Sequence, residues 1–338
     1  MPKTKHITVE APSNIAFVKY WGKKGHQHPI NPSISMTLKN CVTSCRIDYH
    51  ESDNFSLNSY QFENKENPDF KDRIEKYLTS ILDICPTLKT RALSIKTKNT
   101  FPHSAGIASS ASAFASIAMA IAEIENANNK TQRASQLARL GSGSAARSIE
   151  GPYTLWGLTH NIHNSSDEHA ITYNDTHKNF NTVNDTILLI DTAQKSVSSS
   201  AGHALMHAHP FKESRIQQAN DNLNTILKAM NEGDWEKFGA TIENEALTLH
   251  AMMMTSNPPA ILLAPQTLDA LDKIRQFRQD TKQPLYFTID AGPNIHLIYP
   301  QTHAAKIDSF IKTDLAPLCK NGQTITDENG TGAKVIND

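Results

Sequence analysis

The stretch Pro102-His103-Ser104-Ala105-Gly106-Ile107-Ala108-Ser109-Ser110-Ala111-Ser112-Ala113 constrains the fold of this chain more than any other segment. Its side chains are small, so backbone N–H groups are free to converge on an anion. The residues that follow, Phe114 to Glu123, contain strong helix formers and neither Gly nor Pro, which predicts a largely buried helix. A helix start carries unpaired N–H donors and about half a positive charge, and the hydroxyls of Ser109, Ser110 and Ser112 add further donors. A phosphate group fits such a place. The same small residues also suit a helix packed tightly against a neighbour, and the Gly-Lys-Ser/Thr ending of a Walker loop is missing, so other segments must decide.

Composition bounds what those segments belong to. A chain of 338 residues is long enough for two lobes with a cleft between them. With 33 basic and 34 acidic residues the net charge is −1, so nothing global draws the chain to nucleic acid or to an anionic membrane, and any positive charge at a site must be local. The N-terminus enters strand-like sequence without an apolar signal core, and no apolar run approaches the roughly 18 residues of a membrane span. Cys41, Cys45, Cys85 and Cys319 lack paired spacing and the density of a disulfide framework, which predicts free thiols in the cytoplasm. Cys41 and Cys45 are read as small hydrophobes on one face of a strand.

Alternation predicts strands at 6–10, 35–38 and 45–49, and the Asn- and Ser-rich segment 50–68 reads as irregular. Apolar spacing predicts a helix over 70–84, and a strand at 92–96 leads into the phosphate loop. A helix at 131–140 runs into the Gly141-Ser142-Gly143-Ser144 turn, and the polar stretch 160–184 reads as surface hairpins. A buried strand at 186–191 opens a second lobe, which continues with helices at 214–231, 234–248 and 265–279 and strands at 285–289 and 296–299. Strands and helices mix without strict alternation, as in an α+β fold.

Four segments in order resemble the diphosphomevalonate decarboxylases, a branch of the small-molecule kinase superfamily that includes galactokinase, homoserine kinase and mevalonate kinase. They are Ala11-Pro12-Ser13-Asn14-Ile15-Ala16-Phe17-Val18-Lys19-Tyr20-Trp21-Gly22-Lys23, the loop described above, Gly141 to Gly151, and Asp290-Ala291-Gly292-Pro293-Asn294. The resemblance implies a GHMP-kinase fold of two lobes around a deep cleft: an N-terminal ATP-binding lobe over residues 1–185, like domain 2 of ribosomal protein S5, and a ferredoxin-like C-terminal lobe over 186–338. It also implies ATP and Mg2+, with the metal bound mainly through ATP phosphates and no dedicated protein metal site. A homodimer in the cytoplasm, with no nucleic-acid or membrane partner, completes the expectation. Ala108 stands where the wider superfamily has a second glycine, a replacement common in this branch, while His103, Pro152 and Pro32 depart from the family's usual residues.

The chemistry-bearing residues read as follows. Asp290 sits where a strand breaks into a Gly-Pro turn, a position that either points a carboxylate into a cleft or caps the turn. The resemblance implies that it orients and deprotonates the C3 hydroxyl of the substrate. Lys19 and Lys23 flank Tyr20-Trp21-Gly22 and share a face in extended chain; by resemblance Lys19 neighbours Asp290, while Tyr20 and Lys23 hold the substrate diphosphate. Arg147 reads as the first turn of a helix, unfavourable against the helix dipole, and by resemblance it grips the substrate carboxylate or diphosphate with Ser142 and Ser144. Ser104, Ala105, Gly106, Ala108, Ser109, Ser110 and Ser112, with Ser198 and Ser199, are the nucleotide-binding candidates. His203, His207 and His209 read as helix-surface histidines, since no third zinc-type ligand set accompanies them. The expected activity is ATP-dependent decarboxylation of mevalonate 5-diphosphate. A monophosphate-specific relative, a C3 kinase and a non-catalytic metabolite-binding regulator remain as alternatives.

Overall fold

In the computed structural model, residues 4–102, 107–192 and 199–336 are described, with the backbone alone at 199 and 200. Eight strands form the first sheet: β1 (Lys5–Ala16), β4 (Ser33–Glu51), β5 (Ser56–Phe62), β6 (Lys65–Glu66), β7 (Arg91–Asn99), β8 (Tyr153–Trp156), β9 (Ile171–Thr172) and β14 (Lys334–Ile336). Their main order is β14-β1-β4-β7-β5-β6, with β8 and β9 added beside β4. A hairpin of β2 (Lys23–Lys24) and β3 (His28–Pro29) stands apart. The second sheet, β11-β12-β10-β13, joins β10 (Val183–Leu188), β11 (Tyr286–Ile289), β12 (Ile295–Pro300) and β13 (Thr324–Glu328).

Helices α1 (Pro68–Ser80), α2 (Ser109–Ile124) and α3 (Lys130–Gly141) cover the first sheet and share one apolar cluster with it. Helix α2 is buried from Ala111 almost continuously to Ala122, as its small, uncharged sequence requires. Helices α4 (Ser199–Leu205), α5 (Lys212–Glu232), α6 (Trp235–Met254), α7 (Pro265–Thr281) and α8 (Ala304–Phe310) belong to the second half of the chain. A second cluster joins the lobes: Phe17, Ile34 and Met36 of the first half pack with Ile187, Phe238, Ile242 and Ile298 of the second.

The strands expected at 35–38 and 45–49 are one 19-residue strand, β4. Its first six residues are buried on both faces between the lobes, and alternation resumes only at Cys41. Between the two parts the β1–β4 register jumps, with Pro12 opposite Val42 but Asn14 opposite Thr37. The extra residues of β4 form a bulge whose N–H groups have lost their ladder partners. Asp327 of β13 replaces those partners: its carboxylate accepts from the N–H groups of Lys39 (2.9 Å), Asn40 (2.9 Å) and Cys41 (2.7 Å).

Other boundaries also differ from expectation. The irregular segment 50–68 contains β5, which runs parallel to β7 and slips register between Leu57 and Ser59, erasing the period-2 signal. The polar stretch before 186 hides the start of β10, because Asn184 and Asp185 are buried polar residues inside a strand. All four cysteines are buried and free.

Asp327→Ala leaves three bulge N–H groups without their acceptor, so urea unfolding should record a loss of about 3 kcal/mol. A loss below about 1 kcal/mol would contradict the capping role.

Candidate active site

The loop after β1 turns into the space between the lobes, anchored by the N–H groups of Phe17 (2.8 Å) and Val18 (3.3 Å) on the carbonyl of Ile34. It delivers Lys19, whose side chain is 1% exposed, and Lys19 Nζ meets Asp290 Oδ1 at 2.8 Å. Asp290 directly follows β11, and its carboxylate is 30% exposed. The pair lines a cleft of about 340 Å3 with Asn14, Tyr20, Trp21, Lys23, Arg73, Ser110, the Gly141–Ser144 turn, Arg147 and His203. Among the described lining residues Lys19, Lys23, Arg73 and Arg147 face one carboxylate, Asp290. The cleft is therefore cationic in a nearly neutral protein, as anion binding demands.

Arg147 is not in the first turn of a helix. It closes a 3₁₀ segment, Gly143–Ser148, where a cation is favourable. It is 2% exposed, and its Nε and Nη1 donate to Ser35 Oγ (3.1 Å) and Ser33 Oγ (2.8 Å), which fixes the plane of the fork. Burial pushes the guanidinium down to about 10 while the Asp290 charge opposes that shift, so it stays charged at neutral pH.

Tyr20 packs edge-on to Trp156, with ring centroids 4.7 Å apart, and lies 4.4 Å from the ring of His203. Its other neighbour is Gly143, where an added Cβ would fall 2.7 Å from the phenol ring. This close approach is what the glycine permits. Burial raises the Tyr20 hydroxyl above its ordinary value, so it acts as a neutral hydroxyl. Lys23 opens β2 and donates to Gln27 Oε1 at 3.0 Å. Ser142 and Ser144 both line the cleft. Ser144 is tied to Asn14, whose Nδ2 donates to the Ser144 carbonyl (3.1 Å) and to Ser148 Oγ (2.8 Å).

The start of α2 opens on the same cleft through Ala108 and Ser110. Ala108 adopts φ 43°, in the left-handed region, and no described side chain caps α2, so its start is suited to receive a phosphate. Ser112 is different: it is fully buried, with its hydroxyl 2.6 Å from Thr43 Oγ1 and 3.2 Å from the Ser109 carbonyl, and does not line the cleft. Ser109 begins α2 outside the lining. Ser104, Ala105, Gly106 and Ser198 lie outside the described residues, and Ser199 is described only as the first residue of α4.

The histidine reading needs correction. His207 is exposed, but His203 and His209 are buried. His203 Nδ1 accepts from the Gly22 N–H at 2.9 Å, and burial beside Lys23 and Arg147 pushes the imidazole down to about 3. It is thus a neutral ring carrying its proton on Nε2 at the cleft wall. The helical i, i+4 spacing of His203 and His207 gave no sign of this, because burial comes from the aromatic residues Tyr20 and Trp21 far away in sequence. Asn14 and Trp21 line the cleft from within the Ala11–Lys23 motif, where nothing in their spacing singles them out, and Arg73 on α1 carries no local signal at all.

Comparison with known proteins agrees with this geometry. Residues 11–170 match the diphosphomevalonate decarboxylase-like N-terminal domain, and residues 185–336 match the mevalonate 5-diphosphate decarboxylase C-terminal domain. The diphosphomevalonate decarboxylase of Saccharomyces cerevisiae is 30% identical over 321 residues, covering 90% of this chain and 80% of the yeast protein. The crystal structure of mevalonate diphosphate decarboxylase from Staphylococcus aureus, 28% identical, superposes with a TM-score of 0.87 over 99% of both chains. A complex of MDDEF with MVAPP, AMPPCP and magnesium, 26% identical, also has a TM-score of 0.87, over 99% of this chain and 100% of that one. With both domains matched in order and the yeast relative covered over most of its length, this chain belongs to the diphosphomevalonate decarboxylase family.

Proposed function

We infer that this chain catalyses the ATP-dependent decarboxylation of (R)-5-diphosphomevalonate to isopentenyl diphosphate, ADP, phosphate and carbon dioxide, a step of the mevalonate pathway of isoprenoid biosynthesis. The observation that carries the reading is the Lys19–Asp290 pair, 2.8 Å apart, set among cations in a cleft that reaches the start of α2. Magnesium ATP supplies the phosphoryl group that converts a tertiary hydroxyl into a good leaving group. Asp290 orients the C3 hydroxyl and takes its proton. A carboxylate is a weak base, so this transfer accompanies phosphoryl transfer and does not precede it. Lys19 balances the negative charge of that carboxylate and of the group being transferred. Arg147, its fork already fixed by two serines, binds the substrate carboxylate or diphosphate.

Tyr20, Lys23, Ser142 and Ser144 hold the diphosphate. Ala108 and Ser110 receive nucleotide phosphates at the α2 start, with Ser104, Ala105, Gly106, Ser109, Ser198 and Ser199 proposed beside them. Asp290 is the one carboxylate among the described lining residues, which fits a magnesium ion carried chiefly by ATP phosphates. The lobe division at 185/186 is proposed on the family matches, which end at 170 and resume at 185. A cytoplasmic enzyme is supported by four buried free thiols. The homodimer rests on family resemblance, and light scattering should return twice 37.4 kDa; the monomer mass would remove it.

Incubation with magnesium ATP and either mevalonate 5-diphosphate or the monophosphate, reading ADP and carbon dioxide together, should give equal amounts of both from the diphosphate alone. ADP without carbon dioxide would make the chain a C3 kinase. Asp290→Ala should abolish turnover while nucleotide affinity stays within about threefold, and substantial residual turnover would take Asp290 out of the reaction.

A further inference from the structure

Helix α6 runs behind the reacting pair and touches the backbone of both members. Glu245, fully buried, accepts the N–H of Lys19 on Oε2 at 2.9 Å. Five residues along the same helix, His250 Nε2 lies 3.2 Å from the carbonyl oxygen of Asp290. A carbonyl only accepts, so the ring carries its proton on Nε2. His250 is 2% exposed, its Nδ1 has no hydrogen-bond partner among the described residues, and burial beside Lys19 pushes the imidazole down to about 4. It is a neutral donor with a single hydrogen-bond partner among the described residues.

Glu245 is itself held. Arg215 of α5 donates to both of its oxygens, at 2.8 and 2.7 Å, and Asn222 Nδ2 donates to Oε1 at 2.7 Å. The Lys19 carbonyl in turn accepts from Asn31 Nδ2 (3.1 Å) and, more distantly, from Arg215 Nη2 (3.4 Å). The peptide groups on both sides of Lys19 are therefore pinned by side chains that do not line the cleft.

Stability alone does not account for this arrangement. Exchanging a buried ion pair for apolar residues of similar volume is often neutral or stabilising. What an apolar replacement cannot do is bond to a backbone N–H and a backbone C=O at fixed points. Misplacing reacting groups by about 1 Å costs on the order of a hundredfold in rate. We propose that Glu245, braced by Arg215 and Asn222, and His250 are positioning residues that set the Lys19 ammonium and the Asp290 carboxylate at working distance from a single helix.

This inference rests on the catalytic reading of Asp290 and Lys19, so the test carries Asp290→Ala alongside the positioning variants of the full chain. His250→Leu fills the site but removes the Nε2 donor to the Asp290 carbonyl; kcat should fall about tenfold or more, with KM for ATP and for mevalonate 5-diphosphate within about threefold. His250→Gln, whose amide N–H replaces the Nε2 donor, should recover most of kcat. Asn222→Ala probes the clamp without touching the core: kcat should fall by about threefold, with melting temperature and KM unchanged. Parental kcat in both His250→Leu and Asn222→Ala, while Asp290→Ala is inactive, would overturn the positioning role and leave the catalytic reading standing. A fall in kcat that His250→Gln does not relieve, matched by a lowered melting temperature, would reduce His250 to a packing residue and also overturn it. Turnover in Asp290→Ala would instead remove the catalytic reading on which the inference is built.

Discussion

The contact between Lys19 and Asp290 is the interaction around which the molecule is organised. The two residues are 271 positions apart, one in the loop after β1 of the first sheet and the other directly after β11 of the second. A lysine side chain 1% exposed is costly unless its ammonium is paired. The pair thus exists only if both sheets present their ends at the same place. The means of doing so are visible around it: an apolar cluster shared between the lobes, Asp327 of the second sheet capping the bulge in β4 of the first, and β14 returning beside β1. The shared cluster supplies the apolar burial that holds the lobes against the repulsion of the cations lining the cleft.

Placing several cations around one carboxylate has an electrostatic cost in the empty cleft. Part of it is offset locally, by serines on Arg147 and by Gln27 on Lys23. The remainder becomes favourable interaction when an anionic substrate arrives, so a nearly neutral protein presents a locally cationic cleft. Neutral groups fill the gaps: His203 and Tyr20 stay uncharged because burial disfavours their ions. They add hydrogen-bonding capacity to the wall without adding charge.

Much of this was legible in the linear chain, for physical reasons particular to each element. Helix α2 could be read because its small residues satisfy both close packing and phosphate approach, and α5, α6 and α7 because long helices carry a sustained period. Arg147 lines the cleft, but from the end of a 3₁₀ segment and not from the first turn of an α-helix, since the two share the same Ser-rich lead-in. Strand β5 is not legible because a register slip breaks its alternation, nor is the start of β10, because its buried polar residues imitate a loop. Ser112 looked equivalent to its serine neighbours. The helical phase turns it toward Thr43 instead.

The sequence by itself determined the chemistry available: most of the helices and strands, where small residues leave backbone donors open, and the Lys19, Lys23, Arg147 and Asp290 side chains that line the cleft. These follow from local propensities and from motifs whose members are close in the chain. Tertiary structure alone decided which of those groups meet. It placed Lys19 against Asp290, buried His203 at the cleft wall, turned Ser112 inward, and set Glu245 and His250 of one helix behind both halves of the pair. Such contacts depend on packing between elements from 40 to 271 residues apart, and no local period or spacing encodes that geometry.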